Sequence, residues 1–269
     1  MQKLPAIIFL AGLLAAGCRT QSTLPSTALP ASAPALLARQ NVDATIYQHM
    51  SAEAYRLYQQ GYELAKVRLD ANLARPHALP PAVIVDVDET VLDNSPYQVT
   101  NAAMGRSFSP DTWKAWTTKG IAKALPGAVE FLNYAASKGC DVFYITNREP
   151  DEKAATISNL HNEGFPMADS VHVVPMEGTS DKTARRAAVA RTHYIALLAG
   201  DQLTDFDESL KNRSVDNGKP LVRAQRDTLE RYFIMLPNPM YGVWLDAISG
   251  KPLADKPANK EAALRKYAY

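Results

Sequence analysis

The chain has 269 residues, 46% of them apolar and 21% charged, with a formal net charge of +1. That is ordinary globular material, long enough for one large α/β core with an accessory layer. A balance so near neutrality gives no general case for binding a nucleic acid polymer.

The first residues read as a targeting segment over 1–18, with Lys3 as its positive start and an apolar run from Ile7 to Ala16. About a dozen apolar residues is too short to span a bilayer, so the segment is expected to be a signal peptide rather than an anchor helix. Its end, Ala15-Ala16-Gly17-Cys18, resembles a bacterial lipobox, which implies that Cys18 becomes the lipid-modified first residue. Leu14 stands one place earlier than the usual lipobox leucine. Arg19 follows, where an aspartate would signal inner-membrane retention, so export and an outer-membrane anchor on Cys18 are expected. With Cys18 acylated, Cys140 has no partner for an intramolecular disulfide and reads as a small buried hydrophobe.

Residues 19–40 are rich in Ser, Thr, Pro and Ala and read as a flexible tether. Residues 41–80 carry apolar and aromatic side chains at helical spacing, Tyr47, Met50, Ala54, Leu57, Tyr58 and Leu64 among them, and end at Pro76 and Pro80-Pro81. A buried strand, Ala82 to Val85, then opens a core expected over 81–245. Helix at Gly127 to Lys138, strand at Asp141 to Thr146, helix at Glu152 to Glu163 and strand at Val171 to Val174 follow. Helix at Lys182 to Arg191 and strands at Tyr194 to Ala199 and Tyr232 to Leu236 complete the series. Such alternation predicts an α/β fold: a Rossmann-like core with a central parallel sheet flanked by helices and right-handed crossovers. The insertion at about 95–125 holds Tyr97, Phe108, Trp113 and Trp116, much aromatic surface for a connection, and is expected to form a small mainly helical cap. Residues 246–269 form a polar tail, a terminal helix or a loose end.

Polar residues recur where successive strands end. They are Asp86 and Asp88, then Thr146-Asn147-Arg148, then Lys182, then Gly200-Asp201 with Asp205. Parallel sheets place their chemistry at these ends, and the set is the one phosphoryl transfer needs. A phosphate monoester is dianionic, so an attacking carboxylate needs a divalent cation and a lysine to neutralise the growing charge. Mg²⁺ accepts a few carboxylates and carbonyls and keeps its waters, which suits Asp86, Asp201 and the Asp88 carbonyl, with Asp205 behind them orienting rather than touching. Asp86 is expected to attack phosphorus, Asp88 to exchange protons with leaving group and water, Thr146 to hold phosphate oxygens and Lys182 to spread positive charge over them.

The stretches IVDVDETVLDNSP (Ile84 to Pro96), FYITNR (Phe143 to Arg148), KTAR (Lys182 to Arg185), GDQLTDF (Gly200 to Phe206) and IMLPNPMYGVW (Ile234 to Trp244) together resemble the haloacid dehalogenase superfamily. Within it they are similar to the class C acid phosphatases, also described as bacterial lipoprotein 5′-nucleotidases. The resemblance implies Mg²⁺, phosphomonoester substrates including nucleoside monophosphates, and an aromatic clamp on the base, for which Trp113 and Tyr241 match and Phe108 and Tyr97 are secondary. Asn147 and Arg148 are further substrate contacts, although Arg148 is equally suited to pair with Glu149 or Asp151. Gln202 and Thr204 replace the asparagine and aspartate of many relatives. A homodimer is admitted as an assembly state. Two rivals to hydrolysis stand: a phosphotransferase, in which an alcohol intercepts the aspartyl phosphate, and a non-catalytic ligand-binding or adhesion lipoprotein. A calcium loop fails because Val91 stands where a turn glycine is needed and Tyr97 where a bidentate glutamate is needed.

Overall fold

A computed structural model describes residues 32–250, 252–266 and 268. The signal segment, Cys18 and the first part of the expected tether lie outside the described residues. The last part of the expected tether, Ala33–Gln40, forms helix α1. Ser32 caps it, accepting from the Ala35 N–H, and Pro34 sits in its first turn, where no amide partner is needed. What composition cannot show is the distant partner: the Gln40 amide donates to the Pro257 carbonyl, 217 residues away.

Two helices follow, α2 (Val42–Met50) and α3 (Ala52–Leu73), the second capped by Ser51. The buried stripe of α3 is Ala54, Tyr58, Tyr62, Ala65 and Leu69. Leu57 and Leu64, which the apolar spacing also flags, are exposed.

The sheet is parallel, with β1 (Pro81–Val85) at its centre, β4 (Asp141–Ile145) and β5 (Val173–Val174) on one side, and β6 (Tyr194–Gly200) and β7 (Phe233–Met235) on the other. Between β1 and β4 the chain leaves the sheet for the cap. There β2 (Leu92–Asp93) pairs antiparallel with β3 (Lys123–Ala124), and this ribbon encloses α4 (Ser95–Ala103) and α5 (Pro110–Thr117). Helices α6 (Ala128–Ser137), α7 (Lys153–Asn162) and α8 (Thr183–Ala190) connect the strands. Beyond β6 come α9 (Lys219–Ala224) and α10 (Arg226–Tyr232), and beyond β7 α11 (Val243–Ser249) and α12 (Lys256–Lys266). The expected tail is thus helical over most of its length.

Alternation along β1 separates two cores. Val83 and Val85 pack with Tyr62 and Leu69 of α3 and Phe131 and Leu132 of α6, while Ala82 and Ile84 pack with Phe143, Ile145 and Val189 of α8. Because β4 and β6 leave β1 in opposite directions, the carboxyl end of β1 opens on a crevice at the reversal of strand order.

Candidate active site

The strand pairing of β1 extends one residue past its end, where the Asp86 amide donates to the Ala199 carbonyl at 3.0 Å. The chain then folds back: the Glu89 N–H bonds the Leu92 carbonyl, and Glu89 takes φ 54°, a left-handed conformation held by its surroundings. Two tyrosines of α3 support this turn from below. The Tyr62 hydroxyl donates to the Thr90 carbonyl at 2.5 Å, and the Tyr58 hydroxyl lies 2.9 Å from the Glu89 carbonyl. Asp86 and Asp88 therefore leave a fixed backbone, toward different partners.

Asp86 joins Asp201 and Asp205, each offering one oxygen within 4.8 Å of the others, all three buried. Lys182, at the start of α8, donates to Asp86 and, at 2.8 Å, to Asp205. The second Asp205 oxygen accepts the Gln202 amide at 2.9 Å, and one Asp201 oxygen accepts the side-chain amides of Asn238 and Gln202, both at 2.7 Å. A Cβ on Gly200 would collide with the Asp205 carboxylate, so this approach requires glycine. Three carboxylates against one lysine leave the cluster short of positive charge. Burial, helped by Asp205 and Asp88 and opposed by Lys182, pushes Asp86 up to about 7. Burial with Asp205 and Asp86 holds Asp201 well above the carboxylate range. Burial works against the Lys182 ammonium, but Asp205 and Asp86 outweigh it and raise its pKa. A buried, oxygen-only donor set with surplus negative charge fits a hard divalent cation. Asp205, expected behind the ligands, lies within reach of both, with one oxygen on Lys182 and the other on the Gln202 amide.

Asp88 belongs to a second cluster. Its Oδ1 accepts from Arg148 Nη2 at 2.7 Å, Arg148 Nε at 3.0 Å and Asn94 Nδ2 at 2.8 Å. The indole N–H of Trp116 fixes Asn94 in turn, donating to its Oδ1 at 2.7 Å. The substrate role expected of Arg148 is therefore corrected, as is its pairing with Glu149 or Asp151. Its guanidinium is only 1% exposed and bonds Asp88 and Thr156, while Asp151 pairs with Lys114. Thr146 is buried at the end of β4, its hydroxyl accepting the Arg148 amide at 3.1 Å. Arg185 of the KTAR stretch staples that corner, donating to the Thr146 carbonyl and the Asn147 side chain.

One cavity of about 760 Å³ connects these parts, and Asp86, Asp88, Asn147, Lys182, Asp201 and Asp205 face it. Trp113, Phe108 and Tyr241 face it as well. Trp113 packs edge-on against Tyr97 at 5.2 Å and tilted against Phe108 at 6.2 Å. Tyr97 itself is buried and bonded to Thr112, a support for Trp113 rather than a wall. Gln202 joins two motifs: besides holding Asp201 it accepts the Val243 amide at 3.0 Å, and Gly242, at φ 133°, leaves room for it.

Sequence reasoning missed Tyr58, Tyr62, Asn94, Trp116, Arg185 and Asn238 as parts of the site. Asn94, Arg185 and Asn238 lie inside the quoted motifs, so proximity was available as a signal. The tyrosines and Trp116 carried none beyond ordinary core spacing.

The family model of the HAD superfamily, subfamily IIIB (acid phosphatase), matches residues 14–244. Among curated proteins the chain is 30% identical to acid phosphatase 1 of Solanum lycopersicum over 59% of this chain and 57% of that one. It is also 30% identical to the stem 31 kDa glycoprotein of Glycine max, over 46% of this chain and 51% of that one. The chain spans about half the length of these curated relatives. The class C acid phosphatase from Bacillus anthracis, solved also with tungstate bound, superposes with a TM-score of 0.80 at 36% identity, covering 87% of this chain and 98% of that one. With the motif-bearing strand ends and this match over most of its length, the chain belongs to the HAD superfamily, subfamily IIIB, the acid phosphatase family.

Proposed function

We propose that this chain is an exported, membrane-tethered acid phosphatase that hydrolyses small phosphomonoesters, nucleoside monophosphates among them, with Mg²⁺ as its cofactor. The observation that carries this reading is the buried trio of Asp86, Asp201 and Asp205 with Lys182 across it, at the floor of a cavity that Asp88 also faces. The relative solved with tungstate, a tetrahedral oxyanion like phosphate, supports the choice of ligand.

In this mechanism Asp86 Oδ1 attacks phosphorus as the leaving alkoxide departs, giving an aspartyl phosphate. Lys182, already on Asp86, steers that oxygen and offsets charge on the transferring group. Asp88 gives its proton to the alkoxide, then removes one from the water that cleaves the intermediate. Arg148, Asn94 and Trp116 hold Asp88 in place without touching substrate. When bound, Mg²⁺ would be held by Asp86, Asp201 and Asp205 and would supply the positive charge the trio lacks. Trp113 and Tyr241 would stack on a base, worth about 1–3 kcal/mol per base and tolerant of its identity. The lipid anchor on Cys18 and the outer-membrane site rest on the amino-terminal residues alone.

The test is phosphate release from an aryl phosphate and a panel of nucleoside monophosphates, with Mg²⁺ and with chelator. Asp86→Asn should abolish turnover while circular dichroism shows the fold intact. Full activity in that variant sinks the mechanism, and hydrolysis of aryl phosphate alone removes the nucleotide assignment.

A further inference from the structure

Among the described residues five cations face the cavity: Arg106, Lys182, Lys211, Lys256 and Lys260. Three have carboxylate partners, Lys182 in the trio, Lys211 on Glu208 at 2.6 Å and Lys256 on Asp246 at 2.7 Å. The other two have none. Arg106 spends its Nε on the Asn101 side-chain oxygen at 3.0 Å, which leaves both terminal guanidinium nitrogens without a partner among the described residues. Lys260 bonds no described residue, and although half-buried its ammonium is influenced by burial alone, which lowers its pKa, with no carboxylate contributing. That sets it apart from the acidic floor.

Both cations line the one cavity, from elements far apart in the chain. Arg106 follows α4 in the cap and Lys260 lies on α12, and α1 packs against both helices while Leu37, Ala38 and Asn41 face the cavity. Thr45 of α2 and Asn101 of α4 also line the cavity, each 3% exposed, and the Asn101 side-chain oxygen orients Arg106. Two cations without carboxylate partners, lining a cavity, are the complement of an anion. The scissile phosphate cannot be that anion, since its place is with Lys182 and the carboxylates.

We propose that Arg106 and Lys260 form a subsite for a second phosphate group on the substrate, so that phosphomonoesters carrying another phosphate remote from the scissile one are preferred to those without it. The proposal rests on the phosphomonoesterase reading above and sharpens its substrate class.

The probes are alkane-α,ω-diol bisphosphates of increasing chain length, each compared with the alkyl monophosphate of the same length, on the Mg²⁺-loaded protein. Beyond a threshold length, kcat/KM should favour the bisphosphate by about tenfold, more than the statistical advantage of carrying two scissile groups. Arg106→Gln and Lys260→Gln should each collapse that ratio toward the statistical value, and Lys260→Arg should preserve it. Equal values at every length, or a preference that survives both glutamine variants, overturns the subsite while leaving the phosphatase reading in place. If neither series nor the aryl phosphate is hydrolysed, the phosphatase reading falls and the subsite with it; if only the aryl phosphate is hydrolysed, the subsite alone falls.

Discussion

The floor of the cavity and its rim are built by different means. The floor is delivered by strand ends and locked by buried charge: Lys182 on two aspartates, Arg148 on a third, the turn between them supported by Tyr58 and Tyr62. The rim comes from α1 and α12, near the two ends of the described chain, and from α4 and α5 of the cap, and presents partly exposed rings and unpaired cations. A floor side chain is fixed before substrate arrives and so acts on the rate of chemistry. A rim side chain meets only the part of the substrate that does not react, and so acts on affinity.

Lys182→Met breaks that comparison hardest. Removing one partner of a buried ion pair costs about 3–5 kcal/mol, and activity should fall about a thousandfold as charge stabilisation is lost. Urea titration and kcat measure the two effects, and wild-type kcat would contradict the assigned role.

Arg148→Met should lower kcat about a hundredfold with KM nearly unchanged, because Asp88 loses its orientation but the floor keeps its oxygens. Steady-state kinetics on one aryl phosphate decides it. A rise in KM alone would restore the substrate contact expected from sequence.

Acidity tests the floor without substrate. In metal-free protein Asp86 is raised to about 7 by burial, from about 4 when unfolded, so the folded state holds the extra proton between those values. Stability should therefore fall as pH rises from about 4 to about 7, then level off. Melting temperatures of chelated protein should decline across that window, and the gain from added Mg²⁺ should be larger at its upper end. A melting temperature that climbs through it would contradict the crowding of the trio.

At the rim, Trp113→Ala should raise KM for a nucleoside monophosphate by about tenfold and leave kcat nearly unchanged. The smallest effect belongs to Glu89→Gln. Burial, with Asp88, Asp201 and Asp93, raises the Glu89 carboxyl and so disfavours its charged form, and the isosteric amide should shift the urea midpoint little. A large loss would show that the charged form matters.

The same division explains what the sequence could reveal. Each strand is a short apolar run closed by polar residues, so β1, β4 and β6 and the groups at their ends are legible from local pattern. Partners are not local. Arg148 has acidic neighbours one and three residues on, yet it pairs with Asp88, 60 residues earlier, because β4 lies beside β1 in the sheet. Helix α1 looks like tether because its small residues cover surface only when α12 is present. The placement of Asp205 is likewise set beyond its neighbours in sequence: the 3₁₀ turn over Leu203–Asp205 brings its carboxylate back over Gly200 and onto Lys182.

The pairing of α1 with α12 has a consequence for the order of events during synthesis. The two helices lie at opposite ends of the described chain, and the Gln40 to Pro257 bond closes a loop of 217 residues. Closing so long a loop is entropically unfavourable until the intervening sheet has drawn its ends together. In a chain emerging amino end first, the wall that α1 and α12 build together is therefore the last part of the cavity that can form, after the strand ends that carry its carboxylates.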